Sequence, residues 1–239
     1  MFGFLKISFG YEERLIWKIT DERVYIPNDP HSFSNPNFVR TNHIHLEIEV
    51  DFARHIIYGF VILSVEKLDI NAKLLVLDTK KMNIYNVTDD ESGNKLHFNY
   101  TKNFLKKTGD KLEILLPKTT KATVKIEYST LPYAGKNVAL RWFFPAETIG
   151  KVHPLVFSQS QPILARSMFP CQDTPAIKST YSAKIIAPKE YTILMSALRD
   201  GEDQIVEEKR VAKFSQKIPV QSYLVAIAVG NLKSQRLGN

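Results

Sequence analysis

His43-Ile44-His45-Leu46-Glu47-Ile48-Glu49-Val50-Asp51-Phe52 alternates polar and apolar side chains without a break. Successive side chains of a strand point to opposite faces. This period of two therefore puts Ile44, Leu46, Ile48, Val50 and Phe52 on one face, with His45, Glu47, Glu49 and Asp51 opposite. A helix of the same residues would scatter its apolar set around the whole circumference, so the stretch predicts a half-buried strand. On its C-terminal side, Ile56 to Val65 reads as a second strand, with Gly59 marking a bulge or a close backbone approach. Leu74-Leu75-Val76-Leu77 is a short apolar run and predicts a strand buried on both sides. Leu96, Phe98 and Tyr100 alternate, Leu112 to Leu116 follows, and Ala122, Val124, Ile126 and Tyr128 alternate with Thr123, Lys125 and Glu127. Tyr181, Ala183 and Ile185 repeat the pattern, and Tyr191 to Ala197 and Tyr223 to Val229 are further strand candidates.

Turn chemistry separates these runs. Asp89-Asp90-Glu91-Ser92-Gly93-Asn94 is a turn, and Asp200-Gly201-Glu202-Asp203 predicts a hairpin-like one. No window longer than ten residues sustains a helical period, and the best helical candidate is a turn or two near Ile163 to Met168. The expectation is an all-β fold, with curved antiparallel sheets or a sandwich of about ten or more short strands and little helix. Residues 1–38 read as an irregular N-terminal extension. Pro27-Asn28-Asp29-Pro30 and Ser34-Asn35-Pro36-Asn37 disfavour helix there, and loose attachment is expected as far as Phe38. Residues 39–239 are expected to form one domain.

Composition narrows the function classes. A chain of 239 residues with 44% hydrophobic side chains can bury a substantial core without staples. Cys171 is the single cysteine, which excludes an internal disulfide and fits a reducing compartment. No apolar run reaches the length that spans a bilayer, and the interrupted apolar start does not resemble a secretory signal. A cytoplasmic protein with no membrane partner is expected. The net charge of +7 comes largely from Lys102, Lys106, Lys107, Lys111, Lys118, Lys121 and Lys125. With little arginine among them and no nucleic-acid motif, they read as a solvated lysine edge that discourages strand pairing, and not as a nucleic-acid surface.

Catalytic machinery is missing from the motifs. No H-E-x-x-H, G-x-S-x-G, C-x-x-C or phosphate-cradling glycine loop occurs. His43 and His45 share a strand face with Glu47, a geometry able to hold a metal. No further ligand stands near them in sequence, so they read as surface histidines and no metal site is expected. Phe157-Ser158-Gln159-Ser160-Gln161-Pro162 is amide-rich, and turns follow at Phe169-Pro170 and Thr174-Pro175. Asp173 is placed to cap a turn, and Arg166 to pair with it. In an extended chain Gln159 and Gln161 point to one side and offer donors and acceptors to a peptide backbone or an amine. The residues alone favour the alternative, a structural loop with satisfied amides.

The block Phe157-Ser158-Gln159-Ser160-Gln161, followed by Arg166-Ser167-Met168-Phe169-Pro170-Cys171-Gln172-Asp173-Thr174-Pro175, resembles a signature of one family. That family is the zinc metallo-aminopeptidases that include leukotriene A(4) hydrolase and aminopeptidase B. Arg40 to Leu46, Leu75 to Lys80, Ala139 to Trp142, Leu194 to Glu202 and Tyr223 to Ala226 resemble the same N-terminal domain, in order, between Val39 and Gly238. The resemblance implies a saddle-like β domain, followed in the family by a catalytic domain with H-E-x-x-H and G-x-M-E-N and then by a helical domain. It implies that this chain is inactive alone, holds no cofactor, and leaves zinc to the catalytic domain as its partner. It further implies that Gln161 meets the amine of a peptide substrate, with Gln159 and Ser160 lining the same wall. Pro162 stands where the family usually has a small non-proline residue. A stand-alone, non-catalytic interaction module that presents the same surface to another protein is the alternative.

Overall fold

The computed structural model describes residues 29–105, 108–132 and 138–235. Fifteen strands and three single turns of 3-10 helix make up its regular structure, so the fold is all-β. The opening stretch forms β1 (Val39–Asp51), which pairs antiparallel with β2 (Ile56–Lys67). The order continues through β3 (Leu74–Thr79), β4 (Met82–Asp89), β5 (Phe98–Leu105), β6 (Gly109–Leu115) and β7 (Lys121–Thr130). It ends with β8 (Leu140–Phe143), β9 (Leu155–Ser158), β10 (Ser179–Pro188), β11 (Thr192–Met195), β12 (Leu198–Arg199), β13 (Gln204–Val206), β14 (Lys209–Val220) and β15 (Ile227–Gly230). These strands form three sheets. A large sheet runs β12-β14-β10-β1-β2-β7-β4, with β13 also on β14, while β11-β15-β9-β8 and β3-β6-β5 form two smaller ones. β1 and β10 pair parallel, which makes the large sheet mixed; the other strand pairs are antiparallel.

The inward faces of all three sheets meet in one core. Ile44, Leu46 and Ile48 of β1 belong to the same cluster as Leu75 and Leu77 of β3, Leu112 and Ile114 of β6, and Val156, Ile193 and Val229 of the four-stranded sheet. Each such side chain contributes about 1.5–3 kcal/mol on burial, so the core offsets the ordering entropy of many short strands and long connections. The alternation read for β1 is met: Ile44, Leu46, Ile48 and Val50 are buried, and His43, His45, Glu47 and Glu49 are half-buried on the opposite face. Gly59 makes the expected close approach. It lies opposite Ile48 at φ +143°, where a Cβ would fall 2.2 Å from the Glu47 carbonyl oxygen.

Several expectations need correction. Leu75 and Leu77 are buried but Leu74 and Val76 only half-buried, so β3, an edge strand of its sheet, is covered on one face. Residues 29–38 have no strand or helix before Val39, yet the segment is not loosely attached. Ser32 and Ser34 are buried, and Asn35 donates to the Leu74 carbonyl at 2.8 Å while accepting from the Val76 amide at 3.0 Å. Residues 1–28 lie outside the described part. Asp200 to Asp203 is not a hairpin: β12 and β13 lie end to end along β14, and Asp203 joins Arg199 to Arg210 across the kink. The tight hairpin is at Glu207-Glu208, both with positive φ as a two-residue type I′ loop requires. The lysines are not confined to an edge either. Lys111 lies on the central strand of its sheet and Lys121 and Lys125 on the interior strand β7, with the Lys125 ammonium 4.0 Å over the Phe60 ring. Lys106 and Lys107 are outside the described residues.

Candidate functional site

β9 carries the chain to the amide-rich loop. The ladder to β8 extends one step past the strand, where the Gln159 amide donates to the Ala139 carbonyl at 2.9 Å. The chain then turns. The Gln161 amide donates to Gln159 Oε1 at 2.9 Å, the Leu164 amide donates to the Ser160 carbonyl at 2.8 Å, and the Gln161–Pro162 peptide is cis. Gln159 and Gln161 are both exposed, whereas Ser160 between them is buried. One oxygen of the pair is thus committed to the loop, because a turning chain brings the Gln161 amide back onto Gln159. The Gln161 carboxamide remains solvent-facing.

Beneath the loop lies a buried ionic network. After the single turn Ala165–Ser167, the Arg166 side chain is wholly enclosed, with Asp78 and Asp173 equally buried. Arg166 Nε donates to Asp173 Oδ2 at 2.9 Å, Nη2 to the Asp173 carbonyl at 2.9 Å, and Nη1 to the carbonyls of His31 and Thr108 at 2.8 and 2.7 Å. Asp78 accepts from Ser32 Oγ at 2.6 Å, from the Phe33 amide at 2.7 Å and from the Asp173 amide at 3.0 Å. Burial pushes the Asp78 carboxyl above its ordinary value, and the Arg166 guanidinium opposes that push. The Arg166–Asp173 pairing was legible in the sequence; the third member, Asp78, comes from β3 and only folding brings it near. Next to this network the Gln172 carboxamide accepts from the Thr41 amide at 2.9 Å and donates to the Val39 carbonyl at 2.8 Å. It substitutes for a peptide group where β10 has not yet begun, and so fastens the signature segment to the large sheet.

The histidine pair sits on the opposite, half-exposed face of β1. His43 Nδ1 lies 2.7 Å from Thr180 Oγ1 and its Nε2 3.0 Å from Ser182 Oγ; His45 Nδ1 lies 2.8 Å from the same Ser182 oxygen. Glu47 is paired with Lys184 at 2.8 Å. Among the described residues no three His, Cys, Asp or Glu side chains stand close enough to hold a metal ion, so zinc has no fitting donor set there. Burial lowers the pKa of both histidines; the neighbouring imidazole adds to this at His43, and at His45 burial outweighs the opposing pull of Glu47 and Asp90. The fold therefore favours neutral rings. The unfolded chain takes up protons first as pH falls below about 6.5, so this contribution is present above that value and lost beneath it. The urea midpoint is expected to drop between pH 7 and pH 5, and a His43→Asn/His45→Gln variant to show a shallower drop. Equal slopes in the two proteins would refute the assignment.

The four-stranded sheet that ends in the loop has a second face, turned outward. Leu140, Trp142, Val156, Ile193 and Val229 point into the core. The intervening residues Arg141, Phe157, Ala228 and Leu194 lie directly across from one another on the other side. Phe143 stacks on Phe157 with ring centroids 5.6 Å apart. No helix among the described residues is long and apolar enough to cross a membrane.

Comparison with known proteins agrees with this arrangement. The Peptidase M1 N-terminal domain family matches residues 40–224. The chain is 38% identical over 216 residues to the leukotriene A-4 hydrolase of Xenopus laevis, covering 88% of this chain and 34% of that protein. It is 35% identical over 216 residues to leucine aminopeptidase 2 of Chaetomium globosum, again covering 34% of the relative. The chain thus spans about a third of the length of these curated relatives. Among solved structures, yeast LTA4 hydrolase in complex with bestatin superposes with a TM-score of 0.76 at 32% identity, covering 88% of this chain and 31% of that one. The M1 zinc metallopeptidase of Deinococcus radiodurans shares the fold, with a TM-score of 0.67 at 20% identity over 84% of this chain and 44% of its own. The three-sheet fold, the signature loop and the family match over residues 40–224 together show that this chain belongs to the M1 peptidase N-terminal domain family.

Proposed function

We propose that this chain is the N-terminal β domain of a leukotriene A-4 hydrolase-like zinc aminopeptidase and forms one wall of its peptide cleft. The observation that carries this reading is the exposed Gln159–Gln161 loop at the end of β9, beside the outward strip of Phe157, Phe143 and Leu194. A substrate's terminal ammonium would donate to Gln161 Oε1, Gln159 would hold the loop through the Gln161 amide, and Ser160 would contribute through its main chain. The residues here bind and orient. Zinc and the hydrolytic step belong to a catalytic domain outside this chain, which would cover the apolar strip and leave the loop facing the cleft. Cys171 is buried and free, and a cytoplasmic location belongs to the same reading.

The test is a chimera in which this chain replaces the matching third of the Xenopus enzyme, assayed on aminoacyl p-nitroanilides. The chimera is expected to be active and the chain alone inactive. Gln161→Ala in the chimera should lower kcat/KM about 10- to 100-fold, the worth of one hydrogen bond to a charged group. A folded, zinc-loaded chimera without turnover would refute the reading. The outward strip also favours a second reading, an interaction module that uses that face for another protein. A dimer in gel filtration that Phe157→Ser abolishes would support it, and a monomer would count against it.

A further inference from the structure

One buried hydroxyl marks the place where the β8–β9 ladder stops. Leu140 faces Ser158, so the next pair along is Ala139 with Gln159. A hydrogen-bonded pair in an antiparallel ladder exchanges both of its N–H···O bonds. Here only half of the exchange is made. The Gln159 amide donates to the Ala139 carbonyl at 2.9 Å, but the Ala139 amide donates to Ser167 Oγ at 2.7 Å. The hydroxyl thus takes the donor that the Gln159 carbonyl would otherwise receive. Its own proton goes to the Leu164 carbonyl at 2.6 Å, and the directions are fixed because an amide N–H only donates and a carbonyl only accepts. The bond to Leu164, three residues back, is a local one, and the Ser167 amide reinforces it at 2.9 Å. The link to Ala139, 28 positions away, is made by the hydroxyl. Leu164 in turn closes the loop through its amide on the Ser160 carbonyl. Ala139 therefore holds the start of the loop by its carbonyl and, through Ser167, the end of it by its amide.

We propose that Ser167 is a positioning residue whose hydroxyl ends the β8–β9 ladder at Gln159 and so turns the Gln161 carboxamide outward. What that carboxamide then meets rests on the cleft-wall reading. Ser167 is only 3% exposed, so its loss leaves the Ala139 amide to find another acceptor inside the protein. The register offers the Gln159 carbonyl, and completing that exchange straightens the chain and draws Gln161 off Gln159 Oε1. Ser160 is no substitute, since its Oγ is buried without a hydrogen-bond partner among the described residues.

Amide hydrogen exchange of the isotopically labelled full chain, read residue by residue by NMR, tests this. Ser167→Ala is expected to speed exchange at the Gln161 and Leu164 amides about 3- to 10-fold, the worth of one hydrogen bond. Ser179→Ala is the control. Its hydroxyl is equally buried and donates to the Thr41 carbonyl at 2.8 Å, so both loop amides should keep their rates. Unchanged exchange in Ser167→Ala, or the same gain in Ser179→Ala, would overturn the proposal. Kinetics of the Xenopus chimera then separate positioning from general loosening. Ser167→Ala should lower kcat/KM by a similar factor, and should have no further effect once Gln161 is alanine, because it acts through that side chain. Losses that multiply in the double variant would overturn the proposal, as would a fully active Ser167→Ala chimera beside an impaired Gln161→Ala one. Faster loop exchange together with a Gln161→Ala chimera as active as its parent would support the role of Ser167 and sink the cleft-wall reading.

Discussion

Arg166→Ala is expected to cost about 3–5 kcal/mol, enough to remove much of a domain stability of about 5–15 kcal/mol. The reason is asymmetry. With its guanidinium in place, Asp78 and Asp173 share one cation and a set of donors that includes Ser32 Oγ, Ser222 Oγ and two main-chain amides. Removing the cation leaves two carboxylates in a site with no solvent access, and takes away a donor to the His31 and Thr108 carbonyls as well. Arg166→Lys is expected to be nearly as damaging, because an ammonium cannot reach four separate acceptors with fork geometry. The measurement is the urea midpoint at pH 7. A loss below about 1 kcal/mol would show that the site admits water or protons freely. Arg166→Met combined with Asp173→Asn should recover part of the loss, since the residues form one coupled unit. If the double variant were no better than the single, stranded charge at Asp173 would not be the cause of the loss.

Gly59→Ala is the second large effect, expected to destabilise by more than about 2 kcal/mol. β1 and β2 are interior strands of the large sheet, and the new Cβ would sit 2.2 Å from the Glu47 carbonyl oxygen and 3.0 Å from Ile48 Cα. Both neighbours are backbone, so no rotamer change relieves the clash, and φ +143° is itself costly for an L-residue. Gly201→Ala is the control. It also has positive φ, but nothing lies within 4 Å, so its cost should be limited to about 1–2 kcal/mol of backbone strain. Equal losses at the two glycines would mean that β1 and β2 separate more readily than their pairing implies.

The amide loop shows where local reading stops. The exposed glutamines and the Arg166–Asp173 pair were legible because neighbours in the chain carry them. Two glutamines on one side would need an extended chain from Gln159 to Gln161, but the Gln161 amide turns back onto Gln159, as in the structural loop that the residues alone favoured. Asp78 could not be matched to Arg166 from spacing, since 88 positions separate them. The outward strip was equally hidden. Arg141, Phe157, Ala228 and Leu194 come from four strands, and their common face exists only once those strands pair.

By itself the sequence determined that this chain is all-β, where its most regular strands run, and which family it belongs to. Alternation in β1, β7 and β10 records which side chains leave water, and that demand is the same whatever the strands' partners. It left β14 undetected because only Ala212 and Phe214 of its twelve residues are buried, too sparse a signal for periodicity. Tertiary structure alone decided the parallel pairing of β1 with β10, the division into three sheets and the anchoring of residues 29–38. Each depends on hydrogen bonds and charges brought together across long stretches of chain, and no local pattern specifies which partner a strand or a buried charge will find.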